Sequence, residues 1–406
     1  MACYNPNTPV RGNPFLDIPS DMDSNPFRWV WEDICSVLRL ANLIPRIILP
    51  LGPFPSGKLD ELYPSLPNLW ALALQIFLVI SQVLLIFSFP FALLAFWALP
   101  LVAHFAFYMA FAIVTSIIVR LLNGPPSGRS LIGVPTTRPP VNDESELWFF
   151  INGVATGYHW HQSNLDDLAE YFGREIVGIH NPTKGLILDL VECLIQRDLD
   201  YKTLAIRQGR AQLRGALAAP ATKKVVLIAH SQGGIIAASI IDWLFGELSH
   251  AQMQKLEVYT FGNAARQFCN PPMSEDARVN TQQPRRQGHG ERVLRYIEHY
   301  ANTKDFVANI GALQFTTPAA AYSSQSMFSG SLFVRQGSGH LFNMHYLDPM
   351  FGEGSAFMKS MVEVPEEGGA ENIALKPVGE LSRLYQYKNG ENPEESVELA
   401  KGSGVY

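Results

Sequence analysis

The sequence is poor in cysteine and contains no cysteine motif. It has four cysteines among 406 residues, Cys3, Cys35, Cys193 and Cys269, and no two of them form a C-x-x-C pair. Such scattered cysteines indicate neither a disulfide-rich framework nor a zinc-binding cluster. We therefore expect four reduced thiols and a fold that depends on its apolar core.

An excess of basic residues is also missing. The chain contains 31 Lys and Arg against 37 Asp and Glu, and its formal net charge is −6. A nucleic-acid-binding domain needs a basic surface, so this composition excludes a nucleic-acid partner. The acidic residues are concentrated at the end of the chain, since nine Glu and four Lys or Arg lie between Glu363 and Tyr406. We expect this tail at 363–406, which Gly and Pro interrupt, to be disordered.

The third absence is that of any charge over a long internal stretch. The 58 residues from Leu62 to Val119 contain no Asp, Glu, Lys or Arg. Within them, residues 69–89 and 101–119 each approach the ~20 residues that cross a bilayer core as an α-helix. Residues 62–122 are therefore predicted to form a membrane hairpin of two helices, rather than a hairpin buried in a soluble core. The stretch begins too late and is too long for a signal peptide.

The residues around the hairpin predict its orientation. Basic residues precede and follow it, whereas the connection from Pro90 to Pro100 has no charge. By the positive-inside rule, both ends of the hairpin are expected in the cytosol. The sequence has no N-x-S/T glycosylation acceptor with a permitted middle residue, which agrees with a domain outside the secretory lumen. Because the connection is unusually apolar for a loop in water, a hairpin that enters one leaflet and returns is an alternative to full spanning.

Composition also assigns the segments that flank the hairpin. Residues 1–26 are rich in Pro, Asn, Asp and Ser and are predicted to be disordered. From Phe27 to Ile44 apolar residues recur at helical spacing. We expect residues 27–61 to form an amphipathic segment that either packs on the folded domain or lies at the membrane interface. Residues 123–144 are predicted to be a Pro/Gly-rich linker.

The region at 145–362 alternates short apolar runs with helical patterns and contains a polar insertion at 273–292. Predicted strands lie at 147–151, 175–179, 225–228, 256–261, 293–300 and 332–334, and predicted helices at 163–172, 186–196, 203–218 and after the third strand. Such alternation indicates an α/β fold, with a mostly parallel sheet covered by helices on both faces.

A serine follows the third predicted strand at an abrupt break. The aliphatic run from Val225 to Ile228 leads through Ala229-His230-Ser231-Gln232-Gly233 into a helical pattern. A nucleophile on a strand-to-helix turn needs small residues two positions before and after it, and Ala229 and Gly233 meet this need. Ser231 is therefore the candidate nucleophile. The simpler alternative is a serine that only caps the helix.

Acyl transfer by serine also requires a general base and an acid that orients this base. Asp305 follows the fifth predicted strand, and His340 and His345 follow the last one. The order Ser, Asp, His is typical of enzymes whose nucleophile stands on a strand-to-helix turn. We predict Asp305 as the acid, with Asp348 and Asp276 as weaker rivals. His340 is preferred as the base because it ends a glycine-rich loop, whereas His345 lies among apolar residues.

Two stretches can supply backbone N–H donors to an oxyanion. Gln232 follows the nucleophile directly, and Asn152-Gly153-Val154 follows the first predicted strand. Donors from these two places form the oxyanion hole when the nucleophile stands on such a turn. The candidate donors are therefore Gln232, Gly153 and Val154.

A pair of histidines lies on the same stretch as the predicted oxyanion donors. His159 and His161 form an H-x-H pattern, which occurs in zinc sites, but no third ligand is evident. A serine nucleophile needs no metal. We therefore expect neither a metal nor a cofactor.

Together these residues resemble the α/β-hydrolase superfamily, in its lipase-like serine-esterase branch. The resemblance covers residues 145–362 and rests on Asn152-Gly153, the pentapeptide around Ser231, Asp305 and the C-terminal histidines. Ala229 stands where the usual pattern has glycine. The resemblance implies a Ser-His-Asp mechanism with an acyl-enzyme intermediate and no cofactor.

These features predict an integral membrane serine hydrolase that cleaves a carboxylic ester, with its hydrolase domain facing the cytosol. The bilayer is the predicted partner, and a lipid ester is the predicted substrate class because the hairpin holds the site beside lipid. Two alternatives use the same residues. One is an acyltransferase that passes the acyl group to an alcohol, and the other is a catalytically silent hydrolase fold that serves as a membrane scaffold.

Overall fold

The computed structural model describes residues 26–51, 57–95, 97, 100–125, 130–141, 143–272, 292–316, 328–365 and 373–393. Nearly all of the N-terminal segment at 1–26 and of the polar insertion at 273–292 lies outside these residues. Both assignments therefore stay predictions.

A seven-stranded sheet forms the centre of the domain. Its strands are β1 (Ile132–Gly133), β2 (Glu146–Ile151), β3 (Ile176–Ile179), β4 (Lys224–His230), β5 (Leu256–Phe261), β6 (Tyr296–Lys304) and β7 (Ser331–Ser338). They lie in the order β1-β3-β2-β4-β5-β6-β7. Neighbours from β3 to β7 are parallel, and β1 is antiparallel to β3. The prediction of a mostly parallel sheet is confirmed.

Helices flank this sheet, and further helices come before β1 and after β7 in the sequence. They are α1 (Pro26–Arg39), α2 (Leu66–Ala95), α3 (Leu101–Asn123), α4 (Tyr158–Phe172), α5 (Leu186–Leu199), α6 (Leu204–Ala218), α7 (Gln232–Phe245), α8 (His250–Met253), α9 (Phe306–Ile310), α10 (Ala312–Thr316), α11 (Asp348–Phe351), α12 (Ala356–Lys359), α13 (Val378–Leu381) and α14 (Arg383–Gln386). Short 3-10 helices occupy Ala41–Ile47 and Lys388–Gly390, and a π-helix occupies Phe342–Leu347. A separate two-stranded sheet is formed by β8 (Met361–Pro365) and β9 (Ile373–Pro377).

Strand β4 shows that both faces of the large sheet are covered. Val225, Leu227 and Ala229 belong to the apolar core that includes residues of α6 and α7. Val226 and Ile228 belong to a second core, which includes residues of α4 and of the C-terminal elements. A strand that is apolar without alternation is therefore buried on both sides, as its sequence predicts.

The order of the strands reverses between β2 and β4. Strand β3 lies on one side of β2, and the next strand in sequence, β4, lies on its other side. At such a switch point the connections that leave the carboxyl ends of the two strands diverge and open a crevice where ligands bind. Asn152 follows β2 and Ser231 follows β4 directly, so both stand at this crevice.

The charge-free stretch forms α2 and α3, two helices long and apolar enough to cross a membrane. Only 11% of the most apolar window of each is buried by the rest of the protein, unlike a hairpin in a soluble core. Both helices extend beyond the predicted bounds, and each contacts the domain through a side-chain amide. Gln75 Nε2 of α2 donates to the carbonyl of Ala155, and Asn123 Nδ2 of α3 donates to the carbonyl of Thr183.

The segment at 27–61 packs on the domain, which is one of its two predicted alternatives. Asp33 of α1 is buried against Arg197 of α5, with 2.9 Å between Arg197 Nε and Asp33 Oδ2. Near the end of the segment, buried Glu61 accepts hydrogen bonds from the backbone N–H groups of Asn343 and Met344. The segment is therefore tied to the domain by buried polar contacts at both ends.

The prediction that the chain is disordered from Glu363 onwards is wrong for residues 373–393. Arg383 is buried and donates from Nε and Nη2 to Oε1 of Glu257, at 3.0 and 2.9 Å. Tyr387 is fully buried and donates its hydroxyl to the same carboxylate. The acidic composition concealed this docking, because a few apolar side chains and one paired arginine are enough to hold the segment. The remainder of the tail lies outside the described residues.

Two smaller expectations are also wrong. The predicted linker at 123–144 contains β1, which pairs with β3, so the folded domain begins before residue 145. A strand of two residues is too short to show a periodic pattern in sequence. Cys35 and Cys193 are free thiols, but Cys269 is disulfide-bonded, so the expectation of four reduced thiols fails. Spacing along the chain does not reveal such a bond.

Candidate active site

Ser231 stands at the abrupt turn between β4 and α7. Its backbone has φ 59° and ψ −124°, a conformation that residues other than glycine rarely adopt. Strain of this kind costs roughly 1–3 kcal/mol and persists where the surrounding structure imposes it. Here the Ser231 N–H donates to the carbonyl of Phe261, and the Ser231 carbonyl accepts from the N–H groups of Gly234 and Ala264. Within the described residues the Ser231 hydroxyl makes no capping hydrogen bond, so the helix-cap alternative has no support.

The sharp turn at Ser231 can form because the residues packed against it are small. A Cβ on Gly233 would lie 2.4 Å from the carbonyl oxygen of Ile151, and one on Gly153 would lie 2.4 Å from the Cβ of Ser231. Non-bonded carbon atoms normally lie about 3.5–4.0 Å apart. Ala229 is fully buried, so the domain accommodates the methyl group that replaces the usual glycine. The loop after β2 therefore passes directly against the candidate nucleophile.

His340 and Asp305 form a buried hydrogen-bonded pair. Nδ1 of His340 lies 2.8 Å from Oδ2 of Asp305, and Oδ1 of Asp305 accepts the N–H of Val307 at 2.8 Å. Because an ionised carboxylate only accepts, Nδ1 carries the hydrogen and Nε2 keeps its lone pair. Nε2 of His340 is buried and has no hydrogen-bond partner within the described part of the chain. A general base for serine needs such an uncommitted nitrogen.

Two contacts place this pair beside the serine turn. Gly262, with φ +52°, directly follows β5 and lies so close to the pair that a Cβ there would be 2.9 Å from Cε1 of His340. The ring centroids of His230 and His340 are 4.7 Å apart, and Nε2 of His230 donates to the His340 carbonyl at 2.8 Å. Burial holds the pKa of His230 well below its usual value, so this histidine is a neutral donor. The structure thus gathers Ser231, His340 and Asp305 at the carboxyl edge of the sheet.

His345 has both ring nitrogens committed elsewhere. Its Nδ1 accepts the N–H of Leu341 at 3.0 Å, and its Nε2 donates to the carbonyl of Pro50 at 2.7 Å. Burial also lowers the pKa of His345. These contacts favour a role in fixing the loop. Of the rival acids, Asp348 accepts a hydrogen bond from the hydroxyl of Tyr171 at 2.6 Å, and Asp276 lies outside the described residues.

A network of side-chain amides fixes the loop that carries the predicted oxyanion donors. Asn152 accepts the N–H of Asn181 at 2.8 Å and donates to the Asn181 carbonyl at 2.9 Å. Asn181 in turn donates to Oε1 of Gln232 at 2.8 Å. Gln232 begins α7 and Gly153 lies against the nucleophile, with Val154 next on the same loop. The backbone of all three candidate donors is therefore held near Ser231.

Sequence reasoning missed two residues that position this site. The Tyr346 hydroxyl donates to Oδ2 of Asp305, so this oxygen accepts from both Tyr346 and His340. Asn302 is fully buried and donates to the carbonyls of Gly339 and His345, which fixes both ends of the histidine loop. Tyr346 resembles an ordinary core aromatic in the sequence. Asn302 lies in β6 but beyond the strand predicted at 293–300, so no sequence pattern indicated its burial.

The H-x-H pair does not converge. Nε2 of His159 lies 3.0 Å from Oδ1 of Asn68, whereas His161 is buried and stacks on Phe150. Among the described residues there is no group of three or more His, Cys, Asp or Glu side chains arranged to hold a metal. His159 therefore contributes to the contact between the hairpin and the domain, and His161 to packing within the domain.

Comparison with known proteins adds one partial structural match. No protein-family profile matches the sequence, and no curated protein is significantly similar to it. A solved structure of Trichoderma reesei cutinase in complex with a C11Y4 phosphonate inhibitor aligns with 30% of this chain at 18% identity and a TM-score of 0.21. The alignment spans 55% of the cutinase chain, about half of its length.

Proposed function

We propose that this protein is a membrane-anchored serine hydrolase of the α/β-hydrolase type, which cleaves a carboxylic ester through Ser231, His340 and Asp305. One observation carries the proposal. A serine in a strained backbone conformation ends a central parallel strand, beside a buried histidine whose Nδ1 is bonded to a buried carboxylate and whose Nε2 is uncommitted. Storing strain and burying this pair both cost stability, which a catalytic role explains.

The proposed reaction proceeds in two halves. Nε2 of His340 takes the proton of the Ser231 hydroxyl as Oγ attacks the ester carbonyl carbon. The resulting oxyanion accepts hydrogen bonds from the backbone N–H of Gln232 and from the Gly153–Val154 loop. His340 then gives its proton to the departing alcohol, which leaves an acyl group on Ser231. Water, activated by the same nitrogen, releases the acid and restores the enzyme.

Asp305 orients His340 and stabilises its positive charge while the proton is held. Three donors converge on its carboxylate: the His340 ring, the Tyr346 hydroxyl and the N–H of Val307. These donors fix the orientation of the carboxylate, which keeps the imidazole in the tautomer that the reaction needs. We therefore assign Tyr346 and Val307 to positioning and not to chemistry.

A lipid ester is the proposed substrate class. The hairpin and the site share one loop, since Gln75 of α2 donates to the carbonyl of Ala155, two residues after Gly153. A bilayer that holds α2 and α3 would therefore present its lipids close to Ser231. The basic residues on both sides of the hairpin support a cytosolic position for the domain, whereas the disulfide at Cys269 is typical of an oxidising compartment.

Turnover of a soluble short-chain ester by purified full-length variants tests the proposal. Ser231→Ala and His340→Ala should each lower kcat by roughly 10⁴–10⁶-fold, because members of a catalytic triad act as a unit. His345→Ala is the matched control, since it removes a buried histidine of the same loop and should reduce stability much more than kcat. Unchanged turnover in folded Ser231→Ala would support the silent scaffold. An ester product that forms only when an alcohol is added would support the acyltransferase.

A further inference from the structure

Two helices on the surface of the domain have reversed amphipathicity. They bury polar side chains and expose apolar ones, in stripes with a spacing of three or four residues. The exposed fractions are 65, 40 and 71% for Trp31, Ile34 and Leu38 of α1, and 49, 49, 36 and 47% for Leu188, Val191, Ile195 and Leu199 of α5. These seven residues are called the apolar platform below. A helix whose outer face meets water has the opposite arrangement.

The inward faces of these helices show why the stripes point outwards. Asp33 of α1 and Arg197 of α5 form a buried ion pair, and Arg197 also donates to the carbonyls of Ala264 and Ile310. Gln196 of α5 accepts a hydrogen bond from the side chain of Gln232. The two helices therefore lie side by side over the carboxyl edge of the sheet. The apolar platform is on the same side of the domain as the candidate active site.

The geometry of the hairpin relates this surface to a membrane. Helix α2 packs against α5, and Gln82 of α2 donates to the carbonyl of Lys184, two residues before α5, at 2.7 Å. In the described part of α2 no residue after Gln82 is buried. The 13 residues from 83 to 95 therefore project by about 20 Å, at 1.5 Å per residue. The hydrocarbon core of a bilayer is about 30 Å thick.

The apolar platform accounts for the difference between the length by which the hairpin projects and the thickness of the hydrocarbon core. An amphipathic helix at an interface sinks by about 5–10 Å into the boundary between headgroups and acyl chains. If α1 and α5 do so, the projecting part of the hairpin reaches most of the way across the hydrocarbon core. Contiguous exposed apolar surface of this kind marks a contact site in soluble and membrane proteins alike. Lipid is the occupant that the adjoining hairpin brings to this surface.

We infer that the apolar platform is a second membrane-contact surface, which sinks the catalytic domain into the bilayer with the Ser231 edge facing lipid. The inference rests on the membrane anchorage in the proposed function and is independent of the proposed chemistry. It specifies the orientation of the domain, which a hairpin alone leaves free.

Collision accessibility of nitroxide labels in full-length protein in phosphatidylcholine vesicles tests this inference. Single substitutions Ile195→Cys and Val191→Cys probe the apolar platform. Leu375→Cys is the matched control, because Leu375 is an exposed apolar residue of β9 at 61%. Phe87→Cys, at an α2 position that is 70% exposed, reports on the hairpin. The unsubstituted chain gives the background from native cysteines. Oxygen concentrates in lipid and a water-soluble nickel chelate does not, so their ratio distinguishes the two environments.

We expect labels at 195, 191 and 87 to be reached by oxygen and shielded from nickel, and the label at 375 to show the reverse. If 195 and 191 behave like 375 while 87 remains in lipid, the platform inference is wrong and anchorage stands. If all four labels face water, the anchorage itself is wrong. If 195 is shielded from both agents and shows spin–spin broadening, a second copy of the chain covers the platform, which also overturns the inference.

Discussion

The substitution Gly153→Ala tests the contact between the oxyanion loop and the nucleophile. An added Cβ would lie 2.4 Å from the Cβ of Ser231 and 3.1 Å from the carbonyl oxygen of His230. To reach a normal carbon–carbon contact of about 3.5 Å, the loop or the serine turn must move by about 1 Å. Both are backbone segments fixed by hydrogen bonds, so the movement should displace the oxyanion donors.

The expected effects can be estimated separately for stability and for rate. Overpacking of this kind costs about 1–3 kcal/mol of unfolding free energy. A displacement of about 1 Å in a catalytic group lowers the rate by roughly 10²-fold. We therefore predict a folded Gly153→Ala variant, less stable than the native chain, whose kcat on a soluble ester falls about 10²-fold.

Gly215→Ala is the matched control for this prediction. Gly215 lies in α6, and a Cβ there would meet nothing within 4 Å. Alanine should stabilise this helix by about 0.5–1 kcal/mol and leave kcat unchanged. The assay is initial-rate kinetics in detergent, with thermal unfolding of the same samples. Native kcat in Gly153→Ala would refute the placement of this loop beside the reacting serine.

Three further predictions concern the elements around the site. Gln75→Leu removes hydrogen bonds from α2 to the carbonyl of Ala155 and to the hydroxyl of Thr183, and Gln82→Leu removes one to the carbonyl of Lys184. Thermal unfolding should show a loss of about 1–3 kcal/mol of stability in each variant, and initial-rate kinetics should show a lowered kcat only for Gln75→Leu. Equal kcat in both variants would separate the hairpin from the oxyanion loop. Arg383→Met leaves the buried Glu257 carboxylate without its charged partner and should lower the unfolding free energy in denaturant titrations by about 3–5 kcal/mol. Native stability would show that the C-terminal segment is not docked. Burial and the neighbouring carboxylate of Asp348 raise the pKa of Asp60 from 3.8 to about 7. Asp60 therefore stabilises the fold only while it is protonated, and this stabilisation is lost as the pH rises from about 4 to 7. Thermal unfolding at pH 5 and pH 8 should show Asp60→Asn gaining stability over the native chain at pH 8, and an equal difference at both pH values would contradict this.

The centre of the fold could be predicted because local sequence determines it. The aliphatic run before Ser231 belongs to a strand buried on both faces, and such strands do not alternate in polarity. The long charge-free helices are equally evident, because a bilayer requires about 20 apolar residues. These two patterns depend on neighbours in sequence and not on distant contacts.

Other parts of the structure depend on long-range contacts and could not be predicted. Arg383 is buried because Glu257, 126 positions away, accepts from its guanidinium. An acidic composition gives no sign of such pairing. The two residues of β1 are likewise strand only because β3 lies beside them.

The candidate site was predictable in its residue types and less so in its geometry. Their position after the last strand identified two histidines as candidate bases, but it did not show which of them contacts the acid. The choice depends on the partners of each ring: Asp305 beside His340, and the carbonyl of Pro50 beside His345. Tyr346 gave no signal at all, since only the folded chain brings its hydroxyl to Asp305.

Covalent labelling of the full-length protein by a fluorophosphonate tests the central claim most directly. Such a probe phosphonylates a serine hydroxyl, with loss of fluoride, only where a neighbouring base activates the serine. The account predicts one adduct, located by peptide mass spectrometry at Ser231, which forms far more slowly in His340→Ala and at a near-native rate in His345→Ala. A folded native chain that gives no adduct, or an adduct at another serine, would contradict the account.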